Sequence, residues 1–108
     1  MILGVTFKEN CPDIRNSRVI DVIRELQEYG SNVDAWDPLA DPEVVRSEYG
    51  FDLLTESEIG SGPKYDAVVH AVSHEQFKQI DVRSLVTESG VVYDVKSALP
   101  ADLVDESL

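Results

Sequence analysis

The sequence predicts an α/β domain built on a doubly wound, mostly parallel sheet with helices on both faces. Three observations carry that expectation. Residues 1–7, 67–72 and 91–95 form short, mostly apolar runs, as strands buried on both faces of a parallel sheet do, and 32–36 reads as a further short strand. The stretches between them carry helical periodicity, helix caps and stop signals. The two kinds alternate along 108 residues, a length that fits one domain. Right-handed crossovers then wind the sheet in both directions, giving a Rossmann-like arrangement.

The elements follow in order. Residues 1–7 read as a core strand at the centre of the sheet, ending at a polar loop over 8–16. Asn16 or Ser17 is placed to cap a helix running to Tyr29, with Val19, Val22, Ile23 and Leu26 on one face and Gly30 as its left-handed stop. Residues 32–36 form the second strand, ended by Asp37-Pro38. Asp41-Pro42-Glu43 opens a second helix: Asp41 caps it, Pro42 suits its first position, and Gly50 closes it. Residues 51–54 read as a minor strand and 55–63 as an ambiguous stretch ending in loop. The run 67–72, broken by His70, is a strong strand signal. Helices are expected over 74–80 and 81–88, then a turn at Gly90, the last clear strand over 91–95, and a trailing helix or frayed end over 99–108.

A formal net charge of -12 argues against nucleic acid and anionic lipid as partners. No apolar run approaches the ~20 residues of a membrane span. A reducing, cytoplasmic location is the default expectation, and the lone Cys11 cannot form an internal disulfide. An anionic ligand would have to meet the few cations at one place, and the chain has nine Lys and Arg. Three of them, Lys8, Arg15 and Arg18, fall within eleven residues after the first strand, where ligands of such sheets sit. Pairing of Arg15 with Asp13 is as well supported by residue type as binding of an anion. Lys96 follows the last strand, two residues after Asp94 and on the same side of an extended chain. The first turn has no G-x-G-x-x-G, so NAD binding in the usual Rossmann manner is not expected. His70 reads as a core histidine with a hydrogen bond, and His74 as an edge residue suited to a ligand contact or a helix cap. Two histidines without clustered cysteines give no metal site. Cys11 has cations near it but no adjacent histidine, a weak case for a nucleophile.

The stretch 4–17 resembles the opening of the C-terminal, UDP-binding domain of UDP-glucose and UDP-N-acetylhexosamine dehydrogenases. The shared pattern is Phe7-Lys8, then Asp13, Arg15 and Ser17 at alternate positions, then an amphipathic helix. Tyr29-Gly30, the run 33–38 ending in Asp37-Pro38, the run 67–72, His74 with Phe77, and Tyr93-Asp94-Val95-Lys96 continue the similarity in order. Glu9-Asn10-Cys11-Pro12-Asp13 is most similar to the branch acting on UDP-N-acetylglucosamine or UDP-N-acetylgalactosamine for surface polysaccharide.

The resemblance implies that Phe7, Lys8 and Lys96 contact the UDP-sugar and that Arg15 reaches NAD. Lys96 stands where some relatives use an arginine, keeping the charge without the planar fork. It further implies that residues 1–108 are one UDP-binding domain of a longer, homo-oligomeric enzyme, with the NAD-binding and central domains upstream. The family oxidises the sugar's primary alcohol to a carboxylate. Its reactive cysteine belongs to an upstream motif that Cys11 does not match, so the chain alone is expected to be inactive. Two other readings compete: a phospho-receiver-like domain using Asp37, Ser73 and Lys96, and a stand-alone nucleotide-binding module.

Overall fold

The opening apolar run is a strand only over Ile2–Leu3 (β1), because Gly4 turns the backbone out of it at φ 97°. The structure is a computed structural model and describes residues 1–15, 17–95, 99 and 104–107. The other strands are β2 (Ala35–Trp36), β3 (Tyr65–His70), β4 (Val86–Asp94) and β5 (Glu106–Ser107). They form one parallel sheet in the order β2-β1-β3-β4-β5. β1 is therefore interior, but β3, not β1, holds the central place.

Side-chain alternation sorts the core into two layers. Ile2 pairs with Ala35 and Val69, and all three face a layer with Val5, Ile20, Ile23 and Val45. Leu3 and its partner Trp36, with Val68 opposite Val92, face a layer with Phe77, Val82 and Leu85.

The first layer lies under α1 (Val19–Glu28) and α2 (Pro42–Tyr49). Arg18 occupies the N-cap of α1 without a side-chain capping hydrogen bond; Ser17 Oγ has no partner among the described residues, and Asn16 lies outside them. At the other end the Gly30 and Ser31 N–H groups donate to Gln27 and Leu26, with Gly30 at φ 89°. The α2 signals are realised: the Asp41 side chain accepts from Glu43 N–H, Pro42 opens the helix, and Gly50 closes it at φ 76°.

The second layer is covered by short 3-10 turns over Glu75–Gln79 and Val82–Leu85, where the sequence predicts α-helices. Ile80 adopts an extended conformation between them, and each piece is too short to repay α-helix nucleation. β4 takes up residues 86–90, expected to be helix end and turn. Gly90 instead serves an excursion within β4. The register jumps from Tyr65↔Val86 to Ala67↔Val91, and a Cβ on Gly90 would lie 2.7 Å from Val86 Cβ. Residues 51–54 are not a strand, although Leu54 N–H donates to Ala35 C=O. Of the stretch 99–108, expected as a helix or frayed end, residues 106–107 form β5 and pair with β4, while 100–103 and 108 lie outside the described residues.

Candidate functional site

The carboxyl ends of β1, β2 and β3 meet around one buried carboxylate. Asp37 follows β2 directly and is 4% exposed. Its Oδ2 accepts from the N–H groups of Val5 (2.8 Å) and Thr6 (3.1 Å). Its Oδ1 accepts from Leu39 (2.8 Å) and Ala40 (3.2 Å). His74, after β3, puts Nε2 2.9 Å from Asp37 Oδ2 and 2.9 Å from Thr6 Oγ1. Burial pushes the Asp37 carboxyl up, but the His74 hydrogen bond and the Val5 and Leu39 N–H groups outweigh it and hold it below the usual carboxylate range.

The network fixes the histidine tautomer. Asn10 N–H donates to His74 Nδ1 at 2.9 Å, so Nδ1 accepts and the ring proton sits on Nε2. Thr6 Oγ1 in turn donates to Lys8 C=O at 3.1 Å, which leaves its lone pairs free to accept from Nε2–H. Of the two roles the sequence suggests, His74 takes the N-cap position of the Glu75–Gln79 turn, without a capping hydrogen bond from its side chain; it is 1% exposed and packs on Phe77 with ring centroids 5.4 Å apart. His70 is the hydrogen-bonded core histidine expected, with Nδ1 3.0 Å from Asp94 Oδ1. Sequence reasoning missed Thr6 and the anchoring role of Asp37. The available signal was an acid directly after a strand and ahead of a proline.

From this buried anchor the loop over residues 7–10 projects into solvent. Phe7 is 54% exposed, and Lys8 is exposed beside it. Phe7 N–H donates to Asp13 C=O at 2.7 Å, closing the loop at its base. Arg15 is also exposed and pairs with Asp13, whose carboxyl the Arg15 side-chain hydrogen bonds hold down at about 2. The structure therefore brings Phe7 and Lys8 together at the carboxyl edge and engages Arg15 locally. Lys96 lies outside the described residues. Cys11 carries a free, half-buried thiol.

Two concavities bear on the site. One of about 380 Å³ is lined by Pro12, Asp13, Arg15, Asp41, Glu48 and Tyr49; its acids outnumber its cation. Another of about 810 Å³ opens at the opposite, amino edge around Ile2, Leu26, Asn32 and Tyr65. Neither includes Phe7 or Lys8. NAD does not fit the described residues in the Rossmann manner. Gly4 is used for packing, since a Cβ there would lie 2.6 Å from Val72 Cβ, and no glycine follows it in the turn. Among the described residues no group of three or more His, Cys, Asp or Glu is arranged to hold a metal ion. No helix among them is long and apolar enough to cross a membrane. A receiver-like role is disfavoured, because both oxygens of Asp37 are buried and engaged.

Comparison with known proteins decides the family. Residues 1–101 match the model of the UDP-glucose/GDP-mannose dehydrogenase family, UDP binding domain. The chain belongs to this family. UDP-N-acetyl-D-glucosamine 6-dehydrogenase of Salmonella typhi is 50% identical over 111 residues, covering 100% of this chain and 25% of that protein. The Pseudomonas aeruginosa protein of the same name is 41% identical, covering 97% of this chain and 25% of its own length. Protein CapL of Staphylococcus aureus is 40% identical over 98% of this chain and 25% of its own length. The chain thus spans about a quarter of the length of these relatives. A solved structure of UDP-N-acetyl-mannosamine dehydrogenase Cap5O from S. aureus shares the fold, with a TM-score of 0.67 at 20% identity, over 98% of this chain and 24% of that one. The stretch matched as the UDP binding domain includes the exposed Phe7–Lys8 loop that the Asp37–His74 anchor supports.

Proposed function

We propose that this chain is the UDP-recognising domain of an NAD-dependent UDP-sugar dehydrogenase that oxidises the sugar's primary alcohol to a carboxylate. The substrate is a UDP-N-acetylhexosamine, and the uronate product serves surface polysaccharide synthesis. What supports this reading is one coincidence: the family's UDP-binding match runs through Phe7-Lys8, and that pair stands exposed at the carboxyl edge where an α/β sheet takes its ligands.

In this reading Phe7 offers an apolar ring face to the nucleotide sugar, and Lys8 and Lys96 offer charge to its diphosphate. Arg15 turns toward NAD. Its pair with Asp13 is solvent-exposed, so exchanging that partner for a phosphate costs little. NAD and the reacting groups are held by other segments of a longer, cytoplasmic, homo-oligomeric protein, and residues 1–108 act as one domain within it. Cys11 takes no part in the chemistry.

The test compares the isolated chain with the full-length enzyme, each given UDP-N-acetylglucosamine and NAD. The full-length enzyme forms NADH and the isolated chain forms none above background. NADH formed by the isolated chain, or a full-length protein indifferent to every UDP-sugar, refutes the reading.

A further inference from the structure

Phe7 and Lys8 can meet a ligand in a defined geometry only if their loop is held before the ligand arrives. The sheet does not hold it, because β1 ends at Leu3. The loop is tied at its base by Phe7 N–H to Asp13 C=O and by Thr6 Oγ1 to Lys8 C=O. Among the described residues, its far end is tied by Asn10. Asn10 sits in the left-handed region at φ 58°, which asparagine tolerates when its polar groups are bonded locally. Asn10 N–H donates to His74 Nδ1, and Asn10 Oδ1 accepts from Glu75 N–H at 3.0 Å. The imidazole receiving that bond is itself fixed by Asp37, Thr6 and the Phe77 ring.

We propose that His74 is a positioning residue for the nucleotide sugar, with its two ring nitrogens serving different ends. Nδ1 acts through Asn10 to preset the Phe7–Lys8 loop. Nε2 acts through Asp37 and Thr6 to hold the three strand ends together. The proposal takes its ligand from the UDP reading above, but the loop it describes can be observed without any ligand.

Two substitutions separate the nitrogens. Asparagine at 74 places an amide oxygen near the Nδ1 position and nothing at Nε2. Glutamine places an amide nitrogen near Nε2 and no acceptor at Nδ1. His74→Asn therefore keeps the loop and melts at lower temperature. His74→Gln retains more of the stability and releases the loop. Asn10→Ala, a change at an exposed residue, releases the loop while leaving His74 in place.

Amide hydrogen exchange and UDP titration of the chain read the difference. In His74→Gln and Asn10→Ala the residue 10 and Glu75 amides lose protection. The Val69 amide, bonded to Met1 C=O, keeps its own. UDP affinity falls about fivefold or more, the scale of re-ordering one or two loop side chains. His74→Asn holds both readouts within about twofold of the parent, a range below ~0.5 kcal/mol. The ¹⁵N spectrum of the parent shows a proton on Nε2 and none on Nδ1. The proposal is overturned if residue 10 stays protected in His74→Gln and Asn10→Ala, if His74→Asn loses that protection equally, or if Nδ1 carries the proton. If the parent chain binds no UDP, the functional reading falls, and the exchange data alone decide the positioning role.

Discussion

Replacing Asp37 by asparagine alters one terminal group and keeps the side chain's shape, yet the structure makes it a severe change. Oδ2 takes the N–H groups of Val5 and Thr6, and Oδ1 takes those of Leu39 and Ala40. Asparagine has one oxygen, so whichever way its amide is turned, its NH2 faces two backbone donors. Each buried donor left unsatisfied costs about 1–3 kcal/mol, and breaking a buried charged network costs about 3–5 kcal/mol. A loss of about 3–5 kcal/mol is expected, a fall in Tm of at least roughly 12 °C for a domain of this size. Urea unfolding followed by fluorescence of the single, buried Trp36 measures it. A loss below about 1 kcal/mol refutes the anchoring role.

The same pair of proteins tests the protonation argument. The folded carboxyl titrates below the unfolded one, so in acid the unfolded chain binds the proton more readily. The stabilisation from Asp37 is complete above the unfolded value of about 3.9 and is lost as pH falls toward the lower folded value. The stability gap between parent and Asp37→Asn therefore narrows below about pH 4. A gap that stays constant from neutral pH down through that window contradicts the account.

Gly4→Ala combines a positive φ of 97° with a Cβ 2.6 Å from Val72 Cβ, so a loss of about 2 kcal/mol or more is expected in the same unfolding assay; a neutral result counts against the close β1–β3 approach. In the full-length enzyme, Lys8→Ala raises the KM for UDP-sugar about ten- to a hundredfold, from loss of a charge-assisted hydrogen bond of ~1.5–3 kcal/mol, while Arg15→Ala acts on the KM for NAD; steady-state kinetics showing the opposite bias would reverse the two assignments. Cys11→Ser retains most turnover in the same assay, and its abolition would make the loop a nucleophile site.

The layers of the fold were legible where one residue type dictates one conformation. Gly30, Gly50 and the Asp41-Pro42 start mark helix ends by backbone chemistry alone, and the structure has them there. The alternation of apolar runs gave the parallel sheet. What failed was the stretch 74–90, where Val82, Leu85 and Val86 satisfy a helical period and a buried 3-10 turn leading into a strand equally well. Strand pairing with β3, a long-range contact, decides between them. The site divides the same way. Lys8 and Arg15 stand out in the sequence by their place after the first strand and Phe7 through the resemblance alone; the structure exposes Phe7 and Lys8 together and pairs Arg15 with Asp13. The Asp37–His74–Thr6 anchor joins residues up to 68 positions apart, which no local pattern encodes.

UDP recognition by the Phe7–Lys8 loop is the central claim, and one measurement meets it directly. UDP is titrated into the ¹⁵N-labelled chain and amide shifts are followed residue by residue. A single domain of a multidomain site binds weakly, with a Kd in the millimolar range, about -4 kcal/mol. The account predicts saturable shifts at Phe7, Lys8 and their neighbours at the carboxyl edge, reduced in Lys8→Ala. Shifts confined to Asn32, Asp34 and Tyr65 at the amino edge, or no saturable shift at several millimolar UDP (roughly the scale set by that Kd), would contradict it.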